Sequence, residues 1–334
     1  MENLIEVNDL QISLKTKSSS ILVVENVSFS VKEGGALGII GESGSGKSLT
    51  CQGIQGLLSS KNWDIKGTIM IDGEKFDLSD GRNMRDMRGD TMAMIMQNPV
   101  TAFDSVIKIG EHFKETINNR KGNKESDREI RKDVAALLER MRIRDPEAVL
   151  DSYSFQLSGG MLQRIMIALA LVVKPKLLIA DEPTTALDRT VEHEIIALLK
   201  ELKNGYNMSL LIVSHDLSVI EDLVTDLAVM YAGRFVETGK MDMILSTPEH
   251  PYTEGLFKSR PAFLKERLPE MKGQPPTLEE RMNGCAFFPR CPLAQEYCSS
   301  ECPSRFLQLL ETSYLANRIY VSPSYRGEIG RAHV

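Results

Sequence analysis

The 334-residue chain has one tryptophan, 6% aromatic residues and no apolar run long enough to cross a bilayer. Its longest strongly apolar stretch, Ile165 to Val173, is closed in by Arg164 and Lys174, far short of the ~20 residues a membrane helix needs. A basic excess is also missing: 40 Lys+Arg against 46 Asp+Glu leave a formal net charge of −6. Nucleic acid is therefore excluded as the main partner, because binding to phosphate backbones depends on a cationic field. The start, Met1-Glu2-Asn3, lacks the basic segment of a secretory signal, so we expect a cytoplasmic chain that can still dock on a membrane protein. Proline is scarce early, with ten of the 14 at or beyond Pro248. Residues 1–246 accordingly read as one regular domain, 247–323 as an irregular extension and 324–334 as a tail or cloning remnant without function. At 42% hydrophobic and 26% charged, the composition is that of an ordinary globular protein with a sizeable core.

The first domain reads as α/β. Val27, Phe29 and Val31 alternate with Ser28 and Ser30, the period of a half-buried strand. Ala36 to Ile40 is a short apolar run that enters a glycine-rich loop, with a helix expected from Lys47. Ser126 and Glu129 form a capping-box pattern ahead of an apolar helical face made by Ile130, Val134, Leu137, Leu138 and Met141. Leu177–Ala180, Leu210–Val213 and Leu227–Met230 are short apolar runs separated by helical pattern, as the strands of a buried parallel sheet would be.

Gly41-Glu42-Ser43-Gly44-Ser45-Gly46-Lys47-Ser48 matches G-x-x-x-x-G-K-[ST] between an expected strand and helix. Glycines let successive backbone N–H groups face phosphate oxygens, and the helix N-terminus adds its positive end. Lys47 is expected at the β/γ-phosphates and Ser48 on Mg²⁺. Nucleotide contact is assigned to Gly41, Ser43, Gly44, Ser45, Gly46, Lys47, Ser48 and Leu49. Leu177 to Glu182 is an apolar strand ending in two carboxylates. Asp181 is placed by the Mg²⁺ shell and Glu182 by the γ-phosphate, where it would polarise the attacking water as general base. ATP and Mg²⁺ are thus the expected ligands.

Leu157-Ser158-Gly159-Gly160-Met161-Leu162-Gln163-Arg164 resembles the signature motif of ATP-binding cassette (ABC) ATPases. Gln97 matches that family's Q-loop glutamine, Thr185 to Asp188 resembles its D-loop, and Ser214-His215-Asp216 carries its switch histidine. Pro175 to Asp188, His250-Pro251-Tyr252-Thr253, Gly273-Gln274-Pro275-Pro276 and Gly284 to Pro292 narrow the resemblance to the ATPase subunits of oligopeptide, dipeptide and nickel importers. The resemblance implies a P-loop NTPase of the ABC type: an antiparallel β subdomain, a RecA-like parallel-sheet core, a helical subdomain bearing the signature, and an irregular C-terminal extension. It implies catalytic roles for Glu182, His215 and Gln97, with Gln97 also on Mg²⁺. It implies nucleotide binding by Ser158, Gly159, Gly160 and Asp188, with Ser158 and Gly160 donating to the γ-phosphate held by a second subunit. The implied activity is ATP hydrolysis that energises a membrane importer of peptides or a related small solute such as nickel or a metallophore. The implied partners are a second, different ATPase, two transmembrane permeases and an external solute-binding protein, with the chain at the cytoplasmic face of the membrane. The rival reading is a soluble ABC ATPase acting on ribosomes or DNA; such relatives usually carry two cassettes or a long coiled-coil insertion, which this chain lacks.

One position departs from the family. Where relatives place an aromatic to stack on adenine, the matching residue is Leu14, and Phe29, the only aromatic between Met1 and Ser48, reads as core. Met84, Met87, Met92, Met94 and Met96 read as adaptable packing rather than metal ligands, and the charges from Arg120 to Asp133 as a solvated helix start. Of five cysteines, Cys51 is alone while Cys285, Cys291, Cys298 and Cys302 fall within eighteen residues. In a reducing compartment this suggests ligands more than disulfides. Four thiolates suit a [4Fe–4S] cluster, whose spacing is permissive. Zinc favours closer pairs, which only Cys298 and Cys302 provide, and unligated thiols are the third reading. The resemblance adds that the extension of dipeptide-type importers is associated with an iron–sulfur cluster.

Overall fold

The computed structural model describes residues 2–301 apart from 83, 120–124, 186, 260–270, 272 and 282–283. Cys302, Ala186 and the tail 324–334 therefore lie outside the described residues, as do the first five positions of the charge run from Arg120. The chain opens with two long strands, β1 (Asn3–Lys15) and β2 (Ser20–Lys32), then a short one, β3 (Ala36–Ile40). Helix α1 (Lys47–Ile54) follows, then β4 (Trp63–Ile71), β5 (Glu74–Asp77) and β6 (Met92–Ile95). A helical section contains α2 (Ile109–Asn118), α3 (Asp127–Arg140), α4 (Pro146–Leu150) and α5 (Gly159–Leu171). Next come β7 (Leu177–Asp181), α6 (Arg189–Tyr206), β8 (Ser209–Ser214) and α7 (Leu217–Ile220). Strands β9 (Asp226–Tyr231) and β10 (Arg234–Lys240) precede helices α8 (Met241–Ser246) and α9 (Pro251–Lys258). None of the described helices is long and apolar enough to cross a membrane.

Two sheets form. The first, in order β2-β1-β4-β5, is antiparallel. The second, in order β10-β9-β3-β8-β7-β6, is parallel except for β10, which pairs antiparallel with β9 at one edge. The parallel strands are apolar along their middles because both faces are covered, with polar residues such as Asp181, Ser209, Ser214 and Asp226 only at their ends, and their side chains alternate between two cores. Ala36, Ile40, Leu178, Ala180, Leu210 and Ile212 face a core shared with the helices, including Phe113, Leu138, Ile165 and Leu198. Leu37, Ile39, Leu177, Ile179, Leu211 and Val213 face the other core, against α1 and the antiparallel sheet, where Leu10, Ile12, Val24 and Ile54 are buried. The parallel sheet is thus held rigid from both sides, and its strand ends carry the loops that matter below.

The local expectations hold. Ser126 caps α3 in a full capping box, and Ile130, Val134, Leu137 and Leu138 are its buried face. Phe29 is partly buried against the second core, edge-on to Phe235 with ring centroids 6.0 Å apart. Met84 and Met92 are fully buried and Met87 and Met94 pack against the same core, which is a packing role; Met96 is exposed. Cys51 is buried within α1.

Beyond α8, helix α9 and the described residues that follow it pack on the cassette. Tyr252, Phe257 and Phe287 are buried in the helix-side core. The Phe287 ring sits 5.3 Å from Tyr231, 5.5 Å from Tyr252 and 5.7 Å from His250, centroid to centroid. Burying such a ring contributes about 1.5–3 kcal/mol, with edge-to-face aromatic contacts adding to it.

Candidate active site

The phosphate loop joins β3 to α1 and is shaped by close approach and by dihedral angle. A Cβ on Gly41 would lie 2.1 Å from the Met230 carbonyl oxygen, and Gly46 has φ 108°, where a side chain is strained. Gly46 precedes α1 with no side-chain cap, so the first N–H groups of that helix are left to a ligand. Ser45 is buried and its Oγ has no hydrogen-bond partner among the described residues, a cost that an acceptor oxygen of a bound phosphate would remove. Ser43 and Gly44 complete the turn, and Leu49 packs against the second core from the first turn of α1. Lys47 is buried; its Nζ donates to the carbonyls of Gly41 at 2.8 Å and Glu42 at 3.0 Å, and lies 3.8 Å from Glu182 Oε1. Burial lowers its pKa, against the upward pull of Glu182 and Asp181.

Strand β7 brings the carboxylates to this loop. Ser48 Oγ donates to Asp181 Oδ1 at 2.8 Å, and burial raises the Asp181 pKa. This hydroxyl–carboxylate pair is the oxygen donor set that suits Mg²⁺. Glu182 follows at φ 46°, a left-handed backbone that a side chain adopts only at a cost of about 1–3 kcal/mol and that clusters at active sites. Its Oε2 collects three neighbours: Gln97 Nε2 donates at 2.8 Å, Thr185 Oγ1 donates at 2.8 Å, and His215 Nδ1 lies 3.4 Å away. Gln97 follows β6, and His215 follows β8. Three neighbouring parallel strands thus deliver Gln97, Glu182 and His215 to one point, at the carboxyl ends where open α/β sheets bind their ligands.

Other expected residues sit at helix starts. Ser158 caps α5 through its Oγ, Gly159 and Gly160 open that helix, and Asp188 caps α6 by accepting from Thr190 and Val191. A Cβ on Gly160 would meet Val191 of α6 at 3.2 Å. Gln97 is bonded to Glu182 rather than to the Ser48–Asp181 pair.

Two residues of the extension's quoted motifs, to which no role in the nucleotide site was assigned, also reach the loop. Arg290 grips the Glu42 carboxylate with both guanidinium arms, at 2.7 and 2.9 Å, and the Glu42 N–H donates to Tyr252 Oη at 2.8 Å. Neither contact could be read from spacing, since the partners are 248 and 210 positions apart. In the cysteine segment, Cys285 N–H donates to the Cys298 carbonyl at 2.9 Å, and burial pushes the Cys291 thiol up. Among the described residues no group of three or more potential ligands is assembled to hold a metal, so the three described thiols as placed do not form a finished site.

The description "ABC transporter" matches residues 24–185, and "Oligopeptide/dipeptide transporter, C-terminal region" matches residues 236–298. The dipeptide transport ATP-binding protein DppD of Escherichia coli is 40% identical over 303 residues, covering 90% of this chain and 92% of that one. The chain belongs to the ATP-binding subunits of ABC importers of the oligopeptide/dipeptide type. The oligopeptide transport ATP-binding protein OppD of Salmonella typhimurium is 38% identical over 302 residues, covering 90% of this chain and 89% of that one. Among solved structures, the ATP-binding cassette MJ0796, dimeric and bound to ADP and Pi, is 26% identical with a TM-score of 0.63, covering 71% of this chain and 98% of that one. As an ABC ATPase, the chain hydrolyses ATP, and its family works with membrane permeases in an ABC complex. The ribosome- or DNA-acting reading is set aside.

Proposed function

We propose that this chain powers the import of peptides, with Glu182 as general base of ATP hydrolysis. The convergence of Gln97, Thr185 and His215 on one Glu182 oxygen carries this reading. In it, the uncapped start of α1 and Lys47 hold the phosphates, and Ser48 and Asp181 hold Mg²⁺, which would neutralise charge on the transferred group. Glu182 takes the proton of the attacking water, Gln97 orients that carboxylate, and His215 adds a contact sensitive to the γ-phosphate. Residues 1–246 act as the cassette and 247–323 as an extension fastened to it by Tyr252 and Phe287.

Among the described residues, Ser158 and Asp188 hydrogen-bond into their own helix starts and not to the phosphate loop, as expected if the signature and D-loop serve the site of a second cassette. The partner is a different ATPase, the two together docking on paired permeases at the cytoplasmic face, with solute delivered by an external binding protein. The peptide substrate rests on the relatives DppD and OppD, which are dipeptide and oligopeptide transport proteins. Purifying the native assembly from membranes and assaying peptide-stimulated hydrolysis tests the reading. Permeases, a second ATPase and stimulation by peptide are expected; a chain recovered with ribosomes, or with no membrane partner, would overturn it.

The cysteine segment is proposed as a [4Fe–4S] site, supported by four thiols within eighteen residues and the Cys285–Cys298 backbone bond. No step of hydrolysis passes through it. Iron and sulfide should be found in stoichiometric amounts after anaerobic purification; zinc instead, or no metal, rejects the cluster.

A further inference from the structure

We propose that Arg290 is a positioning residue of the phosphate loop, acting through Glu42. It neutralises a carboxylate inside the loop and holds it away from the path of the phosphates. This rests on the reading of residues 41–48 as the nucleotide site. Glu42 is an acid in a loop whose ligand is a polyanion, so a free carboxylate there would repel what the loop must bind. The Arg290 pairing is fork to fork, the strong geometry for guanidinium and carboxylate, and the Arg290 side chain is only 5% exposed. Its guanidinium also lies 5.7 Å from the centre of the Tyr231 ring and 5.8 Å from that of Phe287, and Nη1 is 3.3 Å from Tyr231 Oη. The arginine is therefore held on several sides and takes Glu42 with it.

The backbone of Glu42 is fastened as well. Its N–H goes to Tyr252 Oη and its carbonyl to Lys47 Nζ. If Lys47 turns from that carbonyl to a phosphate, Arg290 and Tyr252 remain to hold Glu42 in place. A segment lying beyond every hydrolysis motif thus sets the charge and position of a residue in the nucleotide loop. Because Arg290 is flanked in sequence by Cys285 and Cys291, the anchor sits within the cysteine segment itself.

Calorimetric titration of the full-length chain with ATP, ADP and AMP tests this, with thermal unfolding of each variant alongside. Arg290→Ala should weaken ATP binding roughly tenfold or more, the scale of one poorly screened charge. The loss should be smaller for ADP and slight for AMP. Adding Glu42→Gln to Arg290→Ala should recover most of the affinity, and Arg290→Lys should lie between wild type and Arg290→Ala. Wild-type affinity in Arg290→Ala, an equal loss for all three nucleotides, or no recovery in the double variant would overturn the proposal. If Arg290→Ala does not fold, Glu42→Gln alone decides: it should bind ATP at least as tightly as wild type, and weaker binding refutes the charge argument. Lys47→Ala separates the underlying reading, since unchanged ATP binding in that variant would mean that the loop is not the nucleotide site at all.

Discussion

Glu182 combines a strained backbone with a crowded carboxylate oxygen, which supports the proposed role as general base. Its positive φ costs energy, and its Oε2 is shared by Gln97, Thr185 and His215. Converting the carboxylate to an amide keeps the size and most of the contacts but removes the base. Glu182→Gln in the assembled transporter should therefore retain nucleotide binding while turnover falls about 10²-fold or more, within the range for loss of a general base. Steady-state hydrolysis near the wild-type rate would refute the role. All four of these residues belong to motifs visible in the sequence. The hydroxyl of Thr185 lay within the D-loop match, but its bond to Glu182 was not legible, because it depends on how the backbone turns after β7.

At the scale of elements, α9 links the extension to the cassette, and its cap is titratable. His250 Nδ1 accepts from the Tyr252 N–H at 3.0 Å, and complete burial lowers the His250 pKa to about 3. The unfolded chain carries an ordinary histidine with a pKa near 6.5. Below that pH the unfolded state takes up a proton that the folded state refuses, so stability is full above about pH 6.5 and is lost as pH falls toward 3, by about 1.4 kcal/mol per unit. His250→Asn keeps a capping acceptor without the titration. Between pH 7 and pH 5 the wild type should lose about 2 kcal/mol more than the variant in denaturant unfolding, and equal losses would show that another group sets the dependence. Elements with a strong period were readable in advance: α3 from its capping box and apolar face, β7 and β8 from their apolar runs. The extension was not, because its attachment uses aromatic side chains at irregular spacing against residues far away in the chain.

For the whole molecule, the arrangement of motifs argues for assembly. The loop and carboxylates gather at the strand ends, whereas Ser158 and Gly160 stand at the start of α5, where the Ser158 side chain caps its own helix. The isolated chain should therefore hydrolyse ATP poorly. Counting subunits in the purified native assembly should give one copy of this chain beside one copy of a different ATPase; two copies and no second ATPase would refute that pairing. The sequence by itself determined the α/β cassette, the phosphate loop, the two carboxylates and the family, because each is encoded by contiguous motifs or short-range periodicity. Only the tertiary structure decided that Gln97, Thr185 and His215 meet on one carboxylate oxygen, and that Arg290 and Tyr252 hold Glu42. Those contacts join segments separated by as many as 248 positions. Such distances are closed by sheet order and core packing, which no local pattern of residues specifies.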